Sequence, residues 1–183
     1  MTFGPGTGHP TGTQWEEESC SRTSEVIQVQ NDPLAAGRIV VGVDGSHQAE
    51  KAIDWALKES RLHGDDVILV HAWHYPALAL TGYAGTTLPV VGAEDIKKLA
   101  EEFLATLTEG VMGRAPGVHV DARLVEGHPA AVLVEASESA RLLVVGTRGL
   151  GGFKGMLMGS VSTACAHHTR CPLVIVPERT TSA

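Results

Sequence analysis

The chain has 183 residues, of which 43% are hydrophobic, and this length predicts one compact domain with a core large enough to fold without disulfides. Its formal net charge of -7 excludes a broad basic surface for nucleic acid or anionic lipid. An anionic ligand would therefore be held locally, by backbone N–H groups, one or two cationic side chains or a metal ion.

The cysteine count and the N-terminal composition predict the compartment. Cys20, Cys165 and Cys171 are an odd number, which favours free thiols in a reducing environment. The N-terminal residues lack the apolar region of a signal peptide, and no stretch approaches the ~18 apolar residues of a membrane span. We therefore expect a cytoplasmic protein with neither nucleic acid nor membrane as a partner.

Composition divides the chain into three parts. Residues 1–36 are rich in Gly, Thr, Ser and Pro and have little apolar periodicity, so they predict a flexible N-terminal tail. Residues 37–177 are predicted to form the folded domain. Residues 178–183 are left as a short C-terminal tail.

The folded part begins with a strand from Arg38, because Ile39 to Val43 is a continuous apolar run rich in β-branched residues. A helix follows and ends before Gly64. Its stripe recurs at helical spacing and consists of Ala49, Ala52, Ile53, Ala56, Leu57 and Ser60.

The same alternation continues to the end of the domain. Strands are predicted over 66–73, 118–125, 141–145 and Leu173–Val176. The helix between the second and third strands has the stripe Ile96, Leu99, Ala100, Phe103, Leu104 and Leu107, the next begins near Pro129, and the last carries Val161, Ala164, Cys165 and His168 on one face.

Five strands alternating with four helices predict an α/β fold, a doubly wound parallel sheet with right-handed crossovers and helices on both faces. Ligands of such folds bind beyond the carboxyl ends of the strands. Residues 74–92, rich in Gly and Pro, follow one such end. They are either a lid over a ligand, a partner contact or an ordinary surface connection.

A glycine-rich segment joins the fourth strand to the last helix, with six glycines between positions 146 and 160. Glycine lets a ligand approach the backbone closely, so this segment predicts a loop that presents N–H groups to a small anion. Ser160 and Ser162 add hydroxyl donors. Arg148 and Lys154 either contact phosphate or are simply solvated. The segment matches neither GxxxxGK(S/T) nor GxGxxG.

Asp44 follows the first strand, where a carboxylate suits the hydroxyl groups of a sugar, although Asp44-Gly45 also reads as a simple turn. His167, His168 and Cys165 lack the spacing of zinc ligands, so no metal site is predicted. No Ser, Cys or carboxylate partner is identifiable for the remaining histidines near the strand ends, so no catalytic residue is predicted.

The spacing Gly146, Gly149, Gly159-Ser160, which is G-x2-G-x9-G-S/T, resembles the ATP-binding branch of the universal stress protein family. The resemblance covers residues 37–177, including Val41 to Ser46, the His71-Ala72 end of the second strand, and Cys171 to Pro177. It implies a five-stranded sheet of order 3-2-1-4-5, similar to adenine nucleotide alpha hydrolases. It also implies ATP as the ligand, together with Mg²⁺ or Mn²⁺.

The resemblance implies that the glycines and serines hold the phosphates, that Asp44 bonds the ribose, and that Val43 and Ala72 flank the adenine. The predicted ATP-binding residues are Val43, Asp44, Ala72, Gly146, Arg148, Gly149, Gly159, Ser160, Val161 and Ser162.

Function and assembly are predicted on the same basis. The leading hypothesis is a nucleotide-dependent regulator in the stress response whose output is conformational. The alternatives are a slow ATPase or nucleotide-transferring enzyme, for which no general base is identified, and a scaffold with an empty loop. A homodimer is expected through the apolar last strand, Leu173–Val176.

Overall fold

The computed structural model describes residues 37–75, 92–151 and 157–177. The predictions for both tails, for most of the 74–92 connection and for Lys154 lie outside these ranges. No helix within them is long and apolar enough to cross a membrane.

Strands and helices alternate as predicted, and the strand ends differ from the prediction by two residues at most. The elements are β1 (Arg38–Gly42), α1 (His47–His63), β2 (Asp66–Trp73), α2 (Ala93–Arg114), β3 (Val120–Glu126), α3 (Pro129–Ser137), β4 (Leu142–Gly146), α4 (Ser160–His168) and β5 (Leu173–Val176).

The strands form one sheet of order β3-β2-β1-β4-β5, and all four pairings are parallel. This confirms the predicted fold class and strand order. Because all strands run in the same direction, the segments that follow them meet at one edge of the sheet.

The inner strands β1, β2 and β4 are largely apolar because both faces of the sheet are buried there. The edge strand β3 is more exposed and carries Asp121, Arg123 and Glu126. One face packs under α1 and α2 and includes Ile39, Val41 and Leu69. The other packs under α3 and α4 and includes Val40 and Leu143. Alternate residues of β1 thus enter opposite cores, as the strand period of two requires.

Local signals set the ends of α1. The Ser46 Oγ accepts a hydrogen bond from the Ala49 N–H at 3.2 Å and so caps the first turn. Gly64 ends the helix in the left-handed conformation, and its N–H donates to the Ser60 carbonyl at 2.7 Å.

Two predicted apolar faces were wrong in part. Leu99 is 62% exposed, because α2 covers the sheet near its β3 edge and buries only one narrow side, through Ala100, Leu104 and Val111. His168 is also exposed, since α4 ends at this residue. Cys165 is fully buried, as predicted.

An ion pair lies at the amino ends of β2 and β4, on the edge of the sheet opposite to the glycine-rich loop. The Arg141 guanidinium donates a hydrogen bond to the Asp65 carboxylate, whose side chain is 5% exposed. Glu59 approaches the same guanidinium at 3.7 Å. Arg141 therefore neutralises a buried carboxylate just before β4 begins.

Candidate functional site

The strand order creates a crevice at the carboxyl edge between β1 and β4. From β1 the chain builds the sheet in one direction through β2 and β3, and then crosses back to build β4 and β5 on the other side. Loops that leave β1 and β4 therefore turn to opposite faces, and the gap between them is where open α/β sheets bind their ligands.

Asp44 joins the two sides of this crevice. Its Oδ1 accepts a hydrogen bond from the Ser46 N–H at 3.0 Å, and its Oδ2 accepts one from the Leu150 N–H at 2.9 Å. Leu150 lies in the glycine-rich loop after β4, 106 residues further along the chain. One carboxylate thus ties the turn after β1 to the loop after β4.

Gly149 is required by this contact. A Cβ added to Gly149 would lie 2.1 Å from Asp44 Oδ2, which no real side chain tolerates, whereas one added to Gly151 would meet nothing within 4 Å. Gly149 does not have a positive φ. Space beside Asp44, and not backbone conformation, therefore explains the glycine.

The ends of the loop are held together around Thr147. The Thr147 carbonyl accepts hydrogen bonds from the Gly159 N–H at 2.8 Å and from the Ser162 Oγ at 2.7 Å. The Thr147 N–H and Oγ1 both donate to the Val176 carbonyl, each at 2.9 Å. Sequence reasoning missed Thr147, although a hydroxyl residue directly after a buried strand was a usable signal.

The first turn of α4 offers N–H groups to a ligand. Gly159 is the N-cap and provides no side-chain cap, and the first intrahelical bond is donated by the Thr163 N–H to the Gly159 carbonyl at 2.9 Å. The N–H groups of Ser160, Val161 and Ser162 precede that bond and have no partner within the helix. Such an N-terminus attracts anions.

The hydroxyls of the two predicted serines are placed differently. Ser160 is exposed at the start of α4. Ser162 is 3% exposed, and its hydroxyl donates to the Thr147 and Gly159 carbonyls within the loop. The hydroxyl of Ser162 therefore closes the loop, and its backbone N–H is the group available to an anion.

The remaining predicted residues lie around the same edge. Val43 is 5% exposed with its side chain in the core, so a ligand has access to its backbone only. Ala72 is half-buried near the end of β2. Gly146 ends β4, and a Cβ added there would lie 2.7 Å from Gln48 Cβ. Arg148, two residues further along the chain, is half-buried.

Two residues to which sequence reasoning assigned no binding role, His71 and Phe103, support the turn after β1. The His71 Nδ1 lies 2.7 Å from the Val43 carbonyl oxygen, and the His71 ring packs against Phe103 of α2 with the ring centroids 4.8 Å apart. Phe103 also lies against Gly45, where an added Cβ would be 3.1 Å from its Cε2.

Metal and thiol chemistry find little support in the described ranges. No group of three or more His, Cys, Asp or Glu side chains there is arranged to hold a metal ion. Cys165 and Cys171 are free, and burial raises the pKa of both thiols. The thiolate, which is the nucleophile, is therefore disfavoured at both positions.

The profile of the Universal stress protein family matches residues 36–177, and the chain belongs to this family. Universal stress protein Rv2623 of Mycobacterium tuberculosis is 36% identical over 143 residues, which are 78% of this chain and 46% of that relative. The chain thus spans about half the length of the curated relatives it matches.

Two solved structures share the fold. A universal stress protein in complex with cAMP is 26% identical, with a TM-score of 0.57 over 76% of this chain and 95% of that chain. The universal stress protein of Archaeoglobus fulgidus in complex with dAMP is 27% identical, with a TM-score of 0.53 over 76% of this chain and 96% of that chain. Both of those proteins were solved with an adenine nucleotide.

Proposed function

We propose that this chain belongs to the ATP-binding branch of its family and acts as a nucleotide-dependent regulator in the stress response, with folded residues 37–177 as the binding unit. The observation that carries the proposal is the bond between Asp44 Oδ2 and the Leu150 N–H, 2.9 Å long, which brings a carboxylate and a glycine-rich loop together at the switch point of the sheet.

The phosphates lie against the loop and the first turn of α4 in this proposal. Uncapped N–H groups at a helix start and close-packed glycines suit a triphosphate, and the overall charge of -7 requires such local attraction. The phosphate contacts are Gly146, Arg148, Gly149, Gly159, Ser160, Val161 and Ser162.

The nucleoside lies between β1 and β2. Asp44 is acceptor-only as a carboxylate, so it accepts from the ribose hydroxyls, and the backbone of Val43 and the side chain of Ala72 flank the adenine. The described residues fit Mg²⁺ or Mn²⁺ only when the phosphates supply part of the coordination, because no cluster of three protein ligands exists there.

Mass spectrometry of small molecules released from the purified protein, followed by calorimetric titration with ATP and Mg²⁺, tests the proposal. We expect bound adenine nucleotide, heat on titration with ATP, and competition by cAMP and dAMP but not by GTP. If no nucleotide is released and no heat of binding is measured, the result would favour a scaffold with an empty loop. Conversion of ATP to ADP during the titration would favour the slow ATPase.

The Asp44→Ala variant is expected to bind ATP roughly 10 to 100 times more weakly, because a hydrogen bond to a charged group contributes about 1.5–3 kcal/mol. Calorimetry measures the change. Asp121→Ala is the matched control, since Asp121 is exposed at the amino end of β3, on the opposite edge of the sheet. Equal affinities for Asp44→Ala and the control would remove Asp44 from the site.

We further propose a homodimer through β5, an edge strand. The Pro172 carbonyl accepts a hydrogen bond from the Leu143 N–H, and the Val176 carbonyl accepts one from the Thr147 N–H. Backbone groups alternate in direction along a strand, so those of Leu173 and Ile175 point away from β4. Such an edge invites a partner strand.

Ile175→Pro removes one outward N–H and keeps the bonds to β4. By light scattering, we expect a dimer for the natural sequence and a monomer for this variant. Val174→Pro, which instead removes an inward N–H, should lower the melting temperature. A monomeric natural protein would contradict the proposed dimer.

A further inference from the structure

We propose that His71, seated on Phe103, is a positioning residue that fixes the peptide plane before Asp44 and so aims the Asp44 carboxylate into the crevice. The inference rests on the proposed nucleotide function for its ligand readout. It also makes a structural claim that is testable without any nucleotide.

The first step concerns the tautomer of His71. Its Nδ1 lies 2.7 Å from the Val43 carbonyl oxygen. A carbonyl oxygen has no proton to give, so the bond requires the hydrogen on Nδ1. The contact therefore requires a ring with hydrogen on Nδ1, and it bridges β2 and the residue that follows β1.

The second step concerns the backbone of Val43. Its N–H donates to the Val70 carbonyl at 3.0 Å, its side chain is buried, and its carbonyl accepts from His71. The Val43 oxygen and the Asp44 nitrogen share one planar peptide unit, so holding the oxygen sets the direction in which Asp44 leaves the strand.

The third step concerns the support beneath the turn. The Phe103 ring contacts His71 with centroids 4.8 Å apart, and an added Cβ on Gly45 would lie 3.1 Å from Phe103 Cε2. Gly45 has φ +81°, a conformation that favours glycine. One ring of α2 thus restrains both neighbours of Asp44, through His71 on one side and Gly45 on the other.

Two substitutions separate the hydrogen bond from the packing. His71→Phe keeps an aromatic ring on Phe103 but removes the donor, and His71→Asn restores an amide N–H close to the position of Nδ1. His119→Phe is the matched control, because His119 is exposed beside the amino end of β3. Melting temperatures of all three variants report the folded fraction.

We expect His71→Phe to weaken ATP binding about threefold to tenfold, the effect of one lost hydrogen bond, and His71→Asn to stay within about twofold of the natural protein. His119→Phe should not change the affinity. Unchanged affinity in His71→Phe, or equal losses in the Phe and Asn variants, would overturn the proposal.

Hydrogen exchange tests the same claim without ligand. The Leu150 N–H donates to Asp44, so a misdirected carboxylate should speed exchange of this amide about threefold or more in His71→Phe but not in His71→Asn. If the natural protein fails to bind ATP and the exchange still behaves this way, the proposed function fails and the positioning role stands. Unchanged exchange in His71→Phe contradicts the positioning role.

Discussion

Replacing Gly149 with alanine is expected to abolish measurable ATP binding and to lower the free energy of unfolding by about 0.5–1.5 kcal/mol, the net contribution of one hydrogen bond that is exposed to solvent. The added Cβ would lie 2.1 Å from Asp44 Oδ2, so the carboxylate or the loop must move. Either movement breaks the bond between Asp44 and the Leu150 N–H.

Calorimetry with ATP and thermal unfolding measure the two effects. Gly151→Ala is the matched control in the same loop, because its Cβ would meet nothing within 4 Å. It should bind ATP as the natural protein does. An affinity of Gly149→Ala equal to that of Gly151→Ala would show that the loop adapts freely.

A double variant tests whether the stability loss of Gly149→Ala comes from the clash between the new Cβ and the Asp44 carboxylate. In Asp44→Ala, the atom that would clash with the new Cβ is absent. Adding Gly149→Ala to that background should therefore cost much less unfolding free energy than it does alone, a non-additivity typical of residues in contact. If the losses of unfolding free energy in the two single variants simply add in the double variant, the Asp44 carboxylate is not the group that the new Cβ meets.

Replacing Arg141 with methionine has the largest expected effect on stability, a loss of roughly 2–4 kcal/mol. Methionine keeps the apolar stem of the side chain but leaves the Asp65 carboxylate, 5% exposed, without its cationic partner. Removing one member of a buried ion pair typically costs about 3–5 kcal/mol, and the partial exposure of Arg141 reduces that figure.

Denaturant unfolding measures this loss at neutral pH. Arg170→Met is the control, because its pair with Glu138 spans 3.2 Å between well-exposed side chains and should contribute less than about 1 kcal/mol. Adding Asp65→Asn to Arg141→Met should recover part of the stability by removing the unpaired charge. Similar losses for the two arginine variants would mean that burial of Asp65 carries no penalty.

The sequence by itself determined the order of the strands and helices and their approximate ends. The continuous apolar run of β1 and the helical spacing of apolar residues in α1 show, within a few residues, which faces are buried. Gly64 ends α1 because glycine readily adopts the left-handed conformation. The glycine-rich loop was also visible, because glycine density is a local property. Strict alternation of elements further predicted a parallel sheet.

Tertiary structure decided which of those local features meet. The contact between Asp44 and Leu150 joins residues 106 positions apart, and no periodicity links them. The need for glycine at position 149 arises from that contact, and the support from His71 and Phe103 depends on how α2 crosses the sheet. Such contacts depend on strand order and packing, which bring together residues that are far apart in the sequence.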